Sequence, residues 1–461
     1  MDDPSPQQLS RTSEQAGRVA QIAAYVEGAR GKRAPEPARQ VALKCILDLV
    51  GAAAAGIGEP GPAAVRKMAA ATFGAGNVPI WFSGLSGSVI GAAWANSSAA
   101  AALDVDDGNR PARGHPGAAV IPTAFAVGAE TGATLEDIIS AIVIGYEVGV
   151  TVGAARTSYG NTGTWSSYAV VATAAALRRT SRGVLEHALG IAGESAPNQL
   201  FASSPAPRVP DPEGSDVKEG IPWSVVTGLV ALGLAEAGHT GPRNILESVR
   251  LYNFPDELSL GLSLHICRTY FKLYSCCRHV HSPVDALLQL IDRHGISAYA
   301  IDAIEVETYS GALRITNKPD PANTIDVQFS IPYCLALVAL VGAQTLLPVT
   351  AEAMTHDGVT ALARKVKLSL NSDFDAVFPA QTLARVTVVC GDRRFVSDVT
   401  EPNGEATRPL SWDELEAKLR AATRFVATGA QQNELLAAVN GLRDGNLASL
   451  IACLSGLTLK A

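Results

Sequence analysis

Residues 68–103 run 36 positions without an Asp, Glu, Lys or Arg, drawing mostly on Ala, Gly and Ser. A stretch like this reads as tightly packed interior. Its small side chains let helices approach closely, so it belongs in the packed interior of a helical assembly. It ends at Asp104-Val105-Asp106-Asp107-Gly108-Asn109-Arg110-Pro111-Ala112-Arg113-Gly114-His115-Pro116-Gly117, and after Arg113 no charged residue returns until Glu130, His115 aside. Charges buried in such surroundings are costly unless paired, so the cluster is either a structural ion-pair network or a site. Gly108, Pro111, Gly114 and Pro116 break the helix and leave a loop on which polar side chains can converge on a ligand.

The 461 residues suffice for about two domains with ample core. A chain 47% hydrophobic, 18% charged and 6% aromatic reads as a soluble, Ala-rich, mainly helical protein. With a net charge of -7 and no long Lys/Arg block, nucleic acid is not an expected partner. Seven Cys without a CxxC fit reduced thiols in a cytoplasmic enzyme and signal neither zinc nor iron–sulfur. The acidic, polar N-terminus is no secretory signal. Residues 331–350 are apolar enough to suggest a membrane span, but Pro332 suits a helix's first turn and Leu347-Pro348 ends it, so a buried helix is expected and no membrane partner.

Helical spacing recurs in residues 35–56, 90–103, 138–155, 167–177 and 224–237, with Gly238 to Pro242 as a stop signal. Composition changes near residue 270. Residues 300–309 alternate like a strand, and 384–399 read as a hairpin turning at Gly391-Asp392. Helical patterns at 283–294, 331–346 and 351–365 surround them. From Ser411, which forms a capping box with Glu414, the chain is helical again. The expected fold is mainly α: a discontinuous all-helical bundle domain (residues 1–270 and 405–461) with a smaller α+β domain (271–404) inserted.

Asp104 and Asp107, three apart, share a face if the preceding helix runs through them. With His115 they suggest proton transfer, and Arg110 and Arg113 could hold a substrate carboxylate; the plainer reading is a helix end tied by Asp–Arg bridges. The turn Gly160 to Trp165, containing Thr164, opens a helix whose free N–H groups suit an anion, though such turns are also plain helix starts. Lys218 precedes another helix. The run Tyr270 to His281 sets Lys272, Arg278, His279 and His281 among aromatics and thiols at the domain boundary, a preferred place for a ligand cleft. His279 and His281 could ligate a metal if that run were a strand, but no third ligand stands out, and no metal site is expected. Tyr333 begins an apolar helix.

In this order the pieces resemble the MmgE/PrpD family over nearly the whole chain: residues 35–56, the LDVDD and GHPGAAVIP runs, Gly145-Tyr146-Glu147-Val148, the TGTW turn, the lysine before a helix, Gly241-Pro242, the CCRxxH run, and FSxxY at 329–333. The resemblance implies a helical domain with a smaller α+β domain, an active site between them, no metal or organic cofactor, and a homodimer. By motif position it implicates Asp104, His115, Lys218, Tyr333 and His281 as catalytic. Arg110, Arg113, Thr164, Lys272 and Arg278 are the expected substrate-binding groups. This chain has Gly160 where relatives often carry His, Gly108 where they often carry Thr, and Ile221-Pro222 in place of a frequent His.

The family's reactions share carbanion-like chemistry beside a carboxylate. The expected function is therefore a cofactor-independent lyase of a small anionic di- or tricarboxylate, first a hydro-lyase like 2-methylcitrate dehydratase. The alternatives are a dicarboxylate epimerase like iminodisuccinate epimerase, a cis-aconitate-type decarboxylase, or an inactive carboxylate-binding protein.

Overall fold

The computed structural model describes residues 16–158, 160–197 and 215–460. The polar N-terminal residues 1–15 lie outside them. The protein is mainly α, 57% helical.

Among the described residues the first part holds the helices α1 (Arg18–Ala29), α2 (Glu36–Gly56), α3 (Pro60–Phe73), α4 (Val89–Ala101), α5 (Gly117–Thr131), α6 (Leu135–Ala155), α7 (Gly163–Arg178), α8 (Arg182–Glu194) and α9 (Ile221–Glu236). A small hairpin, β1 (Val78–Ile80) and β2 (Leu85–Gly87), precedes α4. Local signals account for many ends. Pro37, Pro62 and Pro222 fall in first turns, where the missing N–H costs nothing. Thr134 and Asp137 close a capping box on α6. α6 is long and apolar enough to cross a membrane, but most of it is buried among its neighbours. Small residues set how closely these helices pack. A Cβ added at Gly145 on α6 would stand 2.1 Å from Thr173 Oγ1 on α7 and 2.9 Å from Val120 Cγ1 on α5.

The buried apolar side chains divide mainly into two clusters. One runs from Val19 to Phe271 and takes in Leu410 to Leu459; the other runs from Tyr274 to Val388. The second surrounds a four-stranded sheet ordered β6-β5-β7-β8. β5 (Ala303–Thr308) pairs in parallel with β6 (Val366–Leu370) and antiparallel with β7 (Arg385–Cys390), which turns at Gly391 into β8 (Arg393–Val396). Against it lie α10 (Arg278–His294), the short α11 (Ser310–Leu313) and α12 (Thr324–Gln328), α13 (Ile331–Leu340), α14 (Val359–Ala363) and α15 (Ser372–Val377). The last helices, α16 (Trp412–Ala422), α17 (Gly429–Asn440) and α18 (Leu447–Gly456), belong to the first cluster, with α16 packed along α2. A two-residue ladder, β3 (Gly108–Asn109) with β4 (Thr269–Tyr270), ties the Asp-rich loop to the chain just before the second core.

Several boundaries differ from expectation. α10 starts at Arg278, five residues before Pro283, because a proline this near a helix N-terminus breaks only one internal bond. α13 stops at Leu340, and Gly342, at φ 113, turns the chain into a separate 3₁₀ turn. The 351–365 pattern breaks at Gly358, at φ 81. β6 carries no clean alternation and was not anticipated. Asp104 and Asp107 share no helical face, because α4 ends at Ala101 and Asp104 turns to φ 51.

We predict that Gly145→Ala, which forces α5, α6 and α7 apart, destabilises the protein by about 1–3 kcal/mol. The check is a lower thermal midpoint with unchanged helical content.

Candidate active site

The loop after α4 is shaped by close approaches. A Cβ at Gly108 would lie 2.3 Å from the Tyr270 hydroxyl, so the side chain that relatives often carry at this position has no room here. A Cβ at Gly117 would meet Asp107 Oδ1 at 2.4 Å; instead its N–H donates to that oxygen (3.1 Å) as α5 begins. Asp104, Arg113 and Glu219 are all non-glycine residues held at φ 50–54. Strained backbone of this kind persists where surrounding contacts over-determine it, commonly at functional sites.

Asp104 is the hub. It is 1% exposed, and its Oδ1 lies 2.5 Å from Lys272 Nζ, 3.1 Å from Lys218 Nζ and 3.4 Å from His115 Nε2. Lys272 Nζ also donates to the Asp104 carbonyl (2.8 Å). Burial opposes ionisation of Asp104, but Lys218 and Lys272 beside it more than offset it and hold the carboxyl far below its usual range. Among the described residues Lys218 Nζ makes no well-formed hydrogen bond, and it sits over the Phe329 ring, 4.4 Å from its centroid.

His115 has its Nδ1 2.9 Å from the Asp107 carbonyl and 3.5 Å from Asp106 Oδ2. Burial, then Lys272, pushes its pKa down to about 4, so the ring is neutral at pH 7 and its contacts with Asp104 and Asp106 are not ion pairs. A neutral ring whose Nδ1 faces a carbonyl keeps its proton there, which leaves the Nε2 lone pair free. Asp106 is fully buried, neither oxygen meets a hydrogen-bond donor among the described residues, and burial pushes its carboxyl well up, favouring the neutral acid. Asp107 accepts from Tyr146 (2.5 Å) and, chiefly through burial, titrates near about 6.

A narrow cavity of about 40 Å³ lies between the two cores. Its walls are Asn109, Arg110, Arg113, Gly114, His115, Glu219 and Tyr270 on one side and Cys277, Arg278, His279, Phe378 and Pro379 on the other. Arg110 and Arg278 flank the Tyr270 ring, 4.9 and 4.6 Å from its centroid, and both bind Glu405. Arg110 adds a bond to Thr382 (2.7 Å) and Arg278 one to the Asn403 carbonyl (2.8 Å). Arg113 lines the cavity while donating to the Arg156 carbonyl (3.1 Å). Glu219 accepts from Thr162 (2.7 Å), tying the Lys218 turn to the start of α7.

The structure thus brings together Asp104, His115, Lys218 and Lys272, and places Arg110, Arg113 and Arg278 on the cavity wall. Three expectations need correction. The Tyr333 hydroxyl donates to the Ala353 carbonyl (3.0 Å) within the second core and joins no group of the cluster. Thr164 donates to the Asn161 carbonyl (2.7 Å), closing its own turn rather than lining the cavity. His281 is saturated by Arg278 Nη1 and the Cys276 carbonyl, both at 3.2 Å, so it positions Arg278; its neighbour His279 lines the cavity. His279 and His281 both stand on α10, so i and i+2 diverge and cannot share a metal.

Sequence reasoning also missed Glu405, Glu219 and Cys277. Glu219 could have been found beside Lys218, and Cys277 in the boundary run. Glu405 lies 295 residues from Arg110 and carried no local signal. Cys277 is not a poised nucleophile: burial, then Asp104, pushes its thiol up to about 12.

Two family models match the chain, the MmgE/PrpD N-terminal domain over residues 20–254 and the MmgE/PrpD C-terminal domain over 274–444. Among curated proteins it is similar to a cis-aconitate decarboxylase of Aspergillus terreus, 26% identical over 396 residues, covering 77% of this chain and 78% of that protein. A second cis-aconitate decarboxylase, from Aspergillus terreus strain NIH 2624 / FGSC A1156, is 26% identical over 388 residues, covering 75% and 77%.

Glu405→Ala leaves two buried guanidiniums without their shared counter-charge and should cost ~3–5 kcal/mol. Denaturant titration should show a lower midpoint with an unchanged slope.

Proposed function

Because the chain belongs to the MmgE/PrpD family, we propose that it is a lyase acting on a small di- or tricarboxylate by removing a proton from carbon next to a carboxylate. The observation that carries this reading is the neutral imidazole of His115 set 3.4 Å from an Asp104 carboxylate that bridges two ammoniums at the edge of a buried cavity. Around the cavity and the Asp104 cluster stand Lys218, Lys272, Arg110, Arg113 and Arg278, with Asp104, Glu219 and Glu405 as the anions among the described residues, while Asp106 favours its neutral form. The excess positive charge suits a polyanion.

His115 Nε2 is the base. It takes the proton, the C–H electron pair forms the aci-carboxylate, and Asp104 stabilises the resulting imidazolium. Lys218, with donors to spare, stabilises the substrate's new charge. In the hydro-lyase we put first, the pair then expels the hydroxyl, which takes a proton from Lys218 and leaves as water. The cavity's volume is less than such a substrate needs, so binding requires the walls to draw apart. Decarboxylation is the second reading, favoured by the names of the two relatives.

The two apolar clusters support a helical domain from residues 1–270 and 405–461 with 271–404 inserted. A homodimer is supported by α9, where Trp223, Val230 and Leu234 are exposed at helical spacing and Trp223 lies edge-on to Trp94. A cytoplasmic location fits seven cysteines that are all free.

Asp104, Asp106 and His115 could offer a metal three atoms within 4.8 Å of one another. Lys272 and Lys218 already occupy Asp104 Oδ1, however, and supply the cationic charge a metal would bring. We therefore assign no cofactor.

The panel to test comprises 2-methylcitrate, citrate, cis-aconitate, hydroxysuccinates and N-substituted aspartates, followed by NMR in D2O. At least one should lose water or CO2 or exchange its α-hydrogen; none doing so defeats the proposal. On that substrate His115→Ala should cost ~10²–10⁴-fold in turnover. Since protonation removes the base, wild-type kcat/KM should hold through neutral pH and fall as pH drops through about 4. Exhaustive EDTA treatment should leave activity intact. Loss on chelation, restored by one divalent cation, would reassign the Asp cluster to a metal.

A further inference from the structure

Few of the polar groups around the cavity are left to meet a substrate. Arg110 and Arg278 are committed to Glu405, and Lys272 to Asp104. On the wall across from His115, His279 stands in the first turn of α10, 5% exposed. Its Nδ1 is 2.5 Å from the Tyr309 hydroxyl, while Nε2 meets no hydrogen-bonding partner among the described residues. The pair is rigidly seated. Tyr309 is 1% exposed at the end of β5 and stacks on Phe378, centroids 4.7 Å apart and planes 17° off parallel. Phe378 itself lines the cavity.

The direction of this hydrogen bond follows from satisfaction. The Tyr309 hydroxyl has His279 as its one acceptor among the described residues, and burial keeps it protonated. If Nδ1–H donated instead, the hydroxyl proton would be buried unpaired, which is expensive. Burial, then Arg110, pushes the His279 pKa down to about 3, so the ring is neutral. A neutral ring that accepts at Nδ1 carries its proton on Nε2.

We infer that His279, fixed by Tyr309, is a catalytic hydrogen-bond donor whose Nε2–H stabilises the negative charge developing on a substrate carboxylate oxygen, opposite the base His115. The inference rests on the carboxylate-lyase reading above. The step moves no proton at His279. The electron pair released at carbon is delocalised onto the carboxylate oxygen, and the imidazole donates to that oxygen throughout. A preorganised donor of this kind acts in the transition state more than in binding.

The test has two independent arms. In ¹⁵N-labelled wild-type protein at pH 7, with the signal assigned by its loss in His279→Gln, His279 should be neutral with Nε2 protonated and Nδ1 bare, and Tyr309→Phe should mix the tautomers. On the substrate that wild type turns over, His279→Leu should lower kcat ~10²–10³-fold with little change in KM. His279→Gln, whose amide N–H can stand where Nε2–H stood, should recover part of the loss, and His279→Asn should not. An Nδ1–H tautomer, or wild-type kcat in a folded His279→Leu, overturns this inference alone. A wild-type protein inert toward every carboxylate in the panel defeats the lyase reading instead.

Discussion

A single carboxylate holds this protein's centre together. Asp104 gives up its hydration entirely, and the lost solvation is offset by two ammoniums brought from distant parts of the chain, Lys218 before α9 and Lys272 after β4. Asp104 could not ionise in that interior without them. The left-handed backbone at Asp104 and the short β3–β4 ladder serve the same end, aiming the carboxylate at both lysines. Removing Asp104 leaves two buried ammoniums without their shared counter-charge.

The layers around this hub repeat its logic. Glu405 gathers Arg110 and Arg278 about the Tyr270 ring, joining the Asp loop to the second core. Beneath the loop Lys418 on α16 pairs with Asp48 on α2 and donates to the Val105 carbonyl (2.7 Å), so the C-terminal helices brace the Asp-rich turn. These ties also decide which donors stay available. With Arg110 and Arg278 committed to Glu405 and Lys272 to Asp104, Lys218 and, on the facing wall, His279 keep donor capacity among the described residues.

Electrostatics of this kind suit carbanion chemistry. Two neutral imidazoles on opposite walls can accept or donate hydrogen bonds without adding charge, while the fixed cations set the potential. A carboxyl beside them kept far below its usual range serves as a permanent anion to receive an imidazolium.

What the sequence determined by itself is what local chemistry controls. The second half of the uncharged 68–103 run became the buried helix α4, whereas residues 68–88 became the largely exposed end of α3 and the β1–β2 hairpin; α2, α4, α6, α7 and α9 lie close to where the apolar spacing put them. The alternating 300–309 and 384–399 segments became β5 and the β7–β8 hairpin, and the Ser411 capping box is present. Charge stranded in apolar sequence marked residues 104–115 as the place where polar groups converge, and the family motifs added Lys218. Tertiary structure alone decided the rest. A residue's partner across nearly 300 positions, such as Glu405 for Arg110, leaves no trace in local pattern. Neighbouring residues on one helical turn point in different directions, so whether His279 or His281 faces the cavity depended on how α10 docks. Tyr333 shows the converse: its position matches a motif, but its hydroxyl is claimed by the Ala353 carbonyl. Motifs and periodicity locate a group along the chain; only packing assigns the direction of its side chain and the atom it meets.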